Sequence, residues 1–347
     1  MQPILSTGIW MEKFAKKIIL DHGSGGKSSK ELIETLFLPF FDNPLLRRMD
    51  DSAVFEINGI KFAFSTDSYT VNPIIFPGGN IGSLAIHGTV NDLATQGAKP
   101  LYLSVGFILE EGFSGEILKE ILEGMKKAAE EAHVLIITGD TKVVPRGQAD
   151  KIFINTTGIG VVKKSHISGH NAQVGDLILI NGSIGDHGMC ILCLQEGLSL
   201  EMPLKSDTAP LNGLVEKILT ITDNIHTMRD PTRGGVATTL NEIAYQSQVG
   251  IEIWEEALPF KKEVLGAGEL LGIDPLYLAN EGKMLIFIEK KEADKVLETM
   301  RNHSYGKEAA IIGEVKAEPK GKVWLKTRLG SKRLLDMLVG EALPRIC

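Results

Sequence analysis

Residues 68–91 contain no Asp, Glu, Lys or Arg, and this run limits what the chain can fold into more than any other stretch. A membrane-spanning helix needs about 20 mainly apolar residues. This run instead carries Pro73, Pro77, Gly78, Gly79, Gly82 and Gly88 among Asn, Ser and Thr. Such punctuation predicts an irregular loop that leads into a helix over residues 81–95, and no membrane segment.

The surrounding pattern alternates. Residues 17–20 read as a strand, followed by the turn Gly23-Ser24-Gly25-Gly26 and an amphipathic helix over 29–37. Residues 53–57 and 60–65 read as strands joined by Asn58-Gly59, a strong hairpin signal. Strands are expected over 101–109, 134–138 and 151–162, and a long helix over 114–133, where Ile117, Ile121, Leu122 and Met125 recur at helical spacing. After Gly169 the alternation resumes. Strands are expected over 176–180, 251–254, 284–288, 310–315 and 322–325, and helices over 188–195, 211–219, 236–246 and 292–301. At 347 residues a single core is near its upper size. Helices mixed with hairpins on both sides of residue 165 therefore predict two α+β domains. The expected division is an extension at 1–14, domains at 15–165 and 166–330, and a flexible tail at 331–347.

Composition excludes several classes. A net charge of −7 argues against a nucleic-acid partner, which would favour a basic stripe. Three cysteines cannot build a disulfide framework, so a reducing, cytoplasmic setting is expected. Residues 1–10 lack the basic n-region and apolar core of a signal peptide. Cys190 and Cys193 have redox or half-zinc spacing without a second Cys or His pair, so they read as buried, inert thiols.

The acidic residues carry more. Asp50 and Asp51 precede a strand, while Asp67 and Asp140 are expected at strand ends. Asp92 follows Asn91, and Asp230 lies in Arg229-Asp230-Pro231-Thr232-Arg233-Gly234-Gly235. Singly, each reads as a cap or turn residue. As a set beside Gly, they suit Mg²⁺ and nucleotide phosphates. The last residue of the sequence, Cys347, follows Leu343-Pro344-Arg345-Ile346. Pro344 cannot continue a helix, and ten extended residues reach about 33 Å. Such an arm lets a thiol visit both its own core and another protein, and a thiol of ordinary pKa, about 8.5, has a minor nucleophilic fraction at neutral pH.

Together these segments resemble the HypE carbamoyl dehydratases, hydrogenase maturation factors in the superfamily of aminoimidazole ribonucleotide synthetase and selenophosphate synthetase. The resemblance runs from Ile19 to Cys347. It rests on His22-Gly23-Ser24-Gly25-Gly26, Phe64-Ser65-Thr66-Asp67-Ser68-Tyr69, Phe76-Pro77-Gly78-Gly79-Asn80-Ile81-Gly82, Asn91-Asp92, Gly139-Asp140-Thr141-Lys142-Val143-Val144, Gly185-Asp186-His187-Gly188, the Asp230 segment, Asn280-Glu281-Gly282-Lys283 and Pro344-Arg345-Ile346-Cys347. The last of these is the most specific. Selenium enzymes of the superfamily usually place a reactive Cys or selenocysteine in the Gly-rich turn, where this chain has Ser24 and Gly26.

The resemblance implies an N-terminal domain that binds ATP and pairs with its twin into a dimeric β-barrel, with a C-terminal α/β domain beside it. It implies Asp51, Asp67, Asp92 and Asp230 around Mg²⁺. Asn91, Asp140 and Thr141 would join Asp51, Asp67 and Asp92 in binding nucleotide, with Lys27 as a weaker phosphate contact. The implied activity is ATP-dependent dehydration of an S-carbamoyl group on Cys347 to a thiocyanate, with Lys142 and Glu281 stabilising the oxygen and accepting a proton. The carbamoyl group would come from HypF, and the nitrile would pass to the HypC–HypD complex as a cyanide ligand for [NiFe] hydrogenase iron. Two other readings stay open: a synthetase acting on a free small molecule, and a nucleotide-gated, non-enzymatic carrier.

Overall fold

Positive φ at Asn58 (51°) and Gly59 (79°) closes a two-residue turn. Both central positions of a type I′ hairpin need that region, which Asn and Gly enter most readily. The turn joins β1 (Ala53–Ile57) to β2 (Ile60–Tyr69). A computed structural model describes residues 17–164, 166–198, 204–340 and 345–347. The expected extension at 1–14 and Pro344 of the tail motif lie outside the described residues.

Ahead of the hairpin come helix α1 (Lys27–Leu32), a π-helical turn (Ile33–Phe37) and α2 (Leu38–Phe41). The strand expected at 17–20 is absent. Leu20–Gly23 form a single 3-10 turn, Ile18, Ile19 and Leu20 are exposed, and among the described residues this segment joins no sheet. After β2, the Pro/Gly-rich run forms the small pair β3 (Ile75–Phe76) and β4 (Gly79–Asn80), then α3 (Ile81–Thr95). Asn80 caps α3 by accepting from the Gly82 and Ser83 N–H groups at 2.9 and 3.0 Å. The absence of charge in this run now has its reason, since nearly all of α3 is buried. The helix also packs unusually close to β2: a Cβ at Gly88 would lie 2.2 Å from the Tyr69 hydroxyl.

The N-terminal half continues with β5 (Ala98–Glu110), α4 (Gly115–Ala132), β6 (Leu135–Val144) and β7 (Ile152–Val162). Its sheet has the order β1-β2-β7-β5-β6, with β5 and β6 parallel. On β2, Ala63, Ser65 and Tyr69 are buried, while Phe64, Thr66 and Ser68 on the opposite face are exposed. β6 is an edge strand with Leu135, Ile136, Ile137 and Val143 exposed.

The C-terminal half comprises β8 (Leu177–Ile180), α5 (Asp186–Gln195), α6 (Asn212–Ile221), β9 (Ile225–Arg229), α7 (Gly235–Ser247), β10 (Gly250–Trp254), α8 (Lys262–Leu271), β11 (Leu285–Ile288), α9 (Ala293–Arg301), β12 (Ala310–Lys316), β13 (Lys322–Lys326) and β14 (Lys332–Leu335). Its sheet runs β14-β13-β10-β12-β8-β11-β9. The structure is mixed α+β, and among the described residues no helix is long and apolar enough to cross a membrane.

Three expectations shift. β2 runs on to Tyr69 and β6 to Val144, so Asp67 and Asp140 lie within strands rather than at their ends; pairing with β7 and β5 carries each strand past its acidic residue. β14 pairs with β13, so the sheet extends beyond residue 330 into the segment expected as a flexible tail. At the other end of that segment, Arg345, Ile346 and Cys347 are held against the N-terminal half. Ile346 is buried among Phe76, Ile191 and Ala279.

Candidate active site

The halves are clamped by polar bonds that also shape the pocket. Asp50 accepts from the Ser168 hydroxyl and the Gly169 N–H, both at 2.8 Å. Asn91 donates to the main-chain oxygens of Ala209 and Glu281 at 3.0 and 3.3 Å and accepts from the Leu211 N–H at 2.7 Å. Both of its amide hydrogens are thus engaged by protein, which ties α3 to the C-terminal half. The Gly-rich turn packs on the Asp230 loop: a Cβ at Gly25 would lie 2.5 Å from Arg233 Cβ. Arg233 also donates to the Gly23 main-chain oxygen at 3.2 Å.

Asp51 at the start of β1, Asp67 on β2, Asp92 on α3, Asp230 after β9 and Glu281 before β11 share one electrostatic environment. The Ser65 hydroxyl donates to Asp92 Oδ2 at 2.6 Å and lies 3.0 Å from the Asp51 main-chain oxygen. Asp51 Oδ1 is 2.7 Å from Arg229 Nε, while Arg229 also pairs with Glu242 at 2.9 Å. One arginine does not balance the set. Burial, then repulsion from Asp230, Asp67 and Asp51, raises Asp92 well above the usual carboxylate range. Burial and the Asp51 charge do the same to Asp230. Asp51 itself is pushed up to about 6, chiefly by burial, with Arg229 opposing. Burial and the charges of Asp230, Asp207 and Asp67 raise Glu281 well above its ordinary value.

Cys347 enters this environment. Its main-chain oxygen accepts from the Thr70 N–H at 2.8 Å, three residues beyond Asp67, and the Asn72 N–H donates to the Arg345 oxygen at 3.1 Å. Enclosure by protein pushes the Cys347 thiol up to about 12; Arg233 opposes the shift, and Glu281 and Asp67 add to it. Arg233 therefore acts electrostatically on the sulfur and on both acids.

Sequence comparison places the chain among known proteins. AIR synthase related protein domains match this chain, the N-terminal domain over residues 49–162 and the C-terminal domain over 173–326. A carbamoyl dehydratase HypE from Azotobacter vinelandii is 50% identical over 327 residues, covering 94% of this chain and 96% of that relative. The chain belongs to the HypE carbamoyl dehydratase family. Solved HypE structures share its fold. The HypE of a HypE–HypF complex superposes with a TM-score of 0.85 at 51% identity, over 88% of this chain and 99% of that one. A HypE in complex with ATP gives 0.81 at 51% identity, over 95% and 100%.

Several expected residues stand apart from the pocket in this HypE-family chain. Asp140 and Lys142 pair with each other at 2.6 Å on exposed β6, with Thr141 between them. Lys27 is exposed, and its N–H donates to the Leu338 oxygen. Sequence reasoning missed Arg229 and Arg233, although both stand in the segment quoted for Asp230; the charge balance that singles them out exists only after folding. Cys190 and Cys193 are free and buried. The Cys190 thiol donates to the Leu204 oxygen at 3.3 Å, and burial pushes it up to about 11.

Proposed function

We propose that this chain performs ATP-dependent dehydration of an S-carbamoyl group carried on Cys347. The observation that carries this reading is Cys347 lying among Arg233, Glu281 and Asp67. In the first step the carbamoyl oxygen attacks the γ-phosphorus of ATP and ADP leaves. Loss of one N–H proton gives an S-bound iminophosphate. Loss of the second N–H proton, as the C–O bond to phosphate breaks, leaves the thiocyanate on sulfur and inorganic phosphate. A hydroxide is a poor leaving group and a phosphate a good one, which is why the nucleotide is needed.

Glu281 suits the proton acceptor. Among the described residues its Oε1 is buried without a hydrogen-bond partner, and its raised proton affinity favours holding a proton taken from nitrogen. Arg233 neutralises charge near the sulfur. Lys142 keeps its proposed role of stabilising the oxygen through a homodimer: it projects from the exposed apolar edge strand β6, so a second copy must deliver it, with Asp140 and Thr141. The open sheet face bearing Phe64, Tyr102 and Ile108 supports that pairing.

Magnesium fits the donor set. Asp51 Oδ2 is buried without a hydrogen-bond partner of normal geometry among the described residues, although the Thr95 hydroxyl lies near the carboxylate, and the mutually repelling carboxylates would be relieved by a cation. Among the described residues, no group of three or more such side chains is preset to hold a metal, so nucleotide phosphates must complete the coordination. Asp51, Asp67, Asp92 and Asp230 would hold it, and its chemistry is charge neutralisation on the phosphates.

Docked, a free Cys347 thiol stays protonated, so loading belongs to an undocked tail. An undocked tail can reach other proteins; HypF, the partner in a solved HypE–HypF complex, would be the donor and HypC–HypD the acceptor of the nitrile, with this chain in the cytoplasm. The test is mass spectrometry of Cys347 after incubation with HypF, carbamoyl phosphate and ATP. An adduct that loses water with ATP alone supports the reading. Equal loss of water without ATP overturns it. Cys347→Ala should abolish product and leave ATP binding intact.

A further inference from the structure

The Gly185-Asp186-His187-Gly188 segment has no part in the chemistry above, yet it places a fully buried histidine on α5. His187 Nε2 lies 2.7 Å from the Ile346 main-chain oxygen, and Nδ1 lies 2.7 Å from Ser206 Oγ. A main-chain oxygen carries no proton, so Nε2 must be the N–H. Burial disfavours a charged ring, which leaves Nδ1 as the acceptor of the Ser206 hydroxyl. Ser206 is itself fixed: its N–H donates to the Pro77 oxygen at 2.8 Å, and its Oγ accepts from the Thr208 N–H at 3.1 Å. Phe76 stands edge-on to the ring, with centroids 5.5 Å apart, and Ile346 packs in the same apolar cluster as Phe76.

We propose that His187 is the positioning residue that receives the tail: its Nε2–H holds the Ile346 oxygen, Ser206 fixes the required tautomer, and Cys347 is thereby registered against Arg233 and Glu281. Three independent grips then act on three successive residues. The Arg345 side chain pairs with Asp150 and donates from Nε to the Thr70 oxygen at 2.7 Å. The Ile346 side chain fills an apolar pocket while His187 takes its oxygen. The Cys347 oxygen accepts from Thr70. His187 supplies the polar grip from the C-terminal half, where Ile191 and Ala279 also line the Ile346 pocket, so the tail is tied to both halves at once. That the held sulfur is the carried one rests on the function proposed above; the latch itself does not.

The test is iodoacetamide alkylation of Cys347 in the full-length, ligand-free protein, read by mass mapping of its peptide, with Cys190 and Cys193 as buried references. A Gln side chain mimics the Nε2 position of histidine and keeps a donor for Ile346. An Asn side chain mimics Nδ1 and stops short of it. His187→Asn should alkylate about tenfold faster than wild type, as loss of one net hydrogen bond implies. His187→Gln should stay within about twofold of wild type. In the loaded protein, His187→Asn should lower kcat for thiocyanate formation with KM for ATP unchanged. The proposal is overturned if His187→Asn is no faster than wild type, or if His187→Gln is as fast as His187→Asn. Failure of wild type to form thiocyanate would sink the dehydration reading and leave these alkylation rates unaffected.

Discussion

Replacing Asp51 by Asn removes one of the mutually repelling pocket carboxylates while keeping its shape, and the ligand-free protein should become more stable at neutral pH. The folded pKa of about 6, against 3.8 for the free side chain, means that the folded state holds the proton more tightly. Folding stability therefore falls as pH rises between about 4 and 6, and the deficit is full above that window. Two pH units at roughly 1.4 kcal/mol each give about 3 kcal/mol. The lost contact with Arg229 is already inside this figure, because burial outweighs it at Asp51. Relative to wild type, Asp51→Asn should gain about 1 kcal/mol at pH 4.5 and about 3 kcal/mol at pH 7.5. For a chain of this length, about 3 kcal/mol is a rise in melting temperature of about 4 °C. The assay is a thermal melt in EDTA at both pH values, repeated with MgATP, which should stabilise wild type and not the variant. An equal advantage at both pH values, or a variant less stable at pH 7.5, would refute the account of the pocket as a store of electrostatic strain.

Glu281→Gln should cut dehydration of the loaded protein by about a hundredfold or more with ATP affinity kept, measured by thiocyanate formation and nucleotide titration; a small loss would assign the proton to another group. Ile137→Asp, on the apolar edge of β6, should shift the protein from dimer to monomer in light scattering and abolish dehydration. Mixing Ile137→Asp with excess Lys142→Ala should restore activity in proportion to the heterodimer formed, because there the Ile137→Asp copy still delivers its Lys142 to the intact pocket of the other copy. Asp150→Ala releases the Arg345 side chain and should raise the alkylation rate of Cys347 severalfold without altering Cys190 or Cys193.

Much of the architecture was legible in the order of residues. The turn at Asn58-Gly59 needed two residues tolerant of positive φ, and the helix over 81–95 was punctuated by its own cap. Elements were missed where local signals are weak. β9 ends on Arg229, whose charge hides a buried strand, and β14 reads Lys332-Arg333-Leu334-Leu335, which looks like a solvated tail until β13 pairs with it. The strand expected at 17–20 failed for the converse reason: its apolar residues join no sheet among the described residues and stay exposed.

For the site, sequence alone determined which chemistry was present: acids beside glycines, a lone thiol on a proline-stiffened arm, and a motif set shared with one family. Tertiary structure decided which of those groups meet. It brought Asp51, Asp67, Asp92, Asp230 and Glu281 into one buried field, left Asp140 and Lys142 on an outer edge, bonded Asn91 across the two halves and set His187 against the Ile346 oxygen. The physical reason is that a residue's type is a local property. Its proton affinity and its partners are set by burial and by charges brought near from distant parts of the chain.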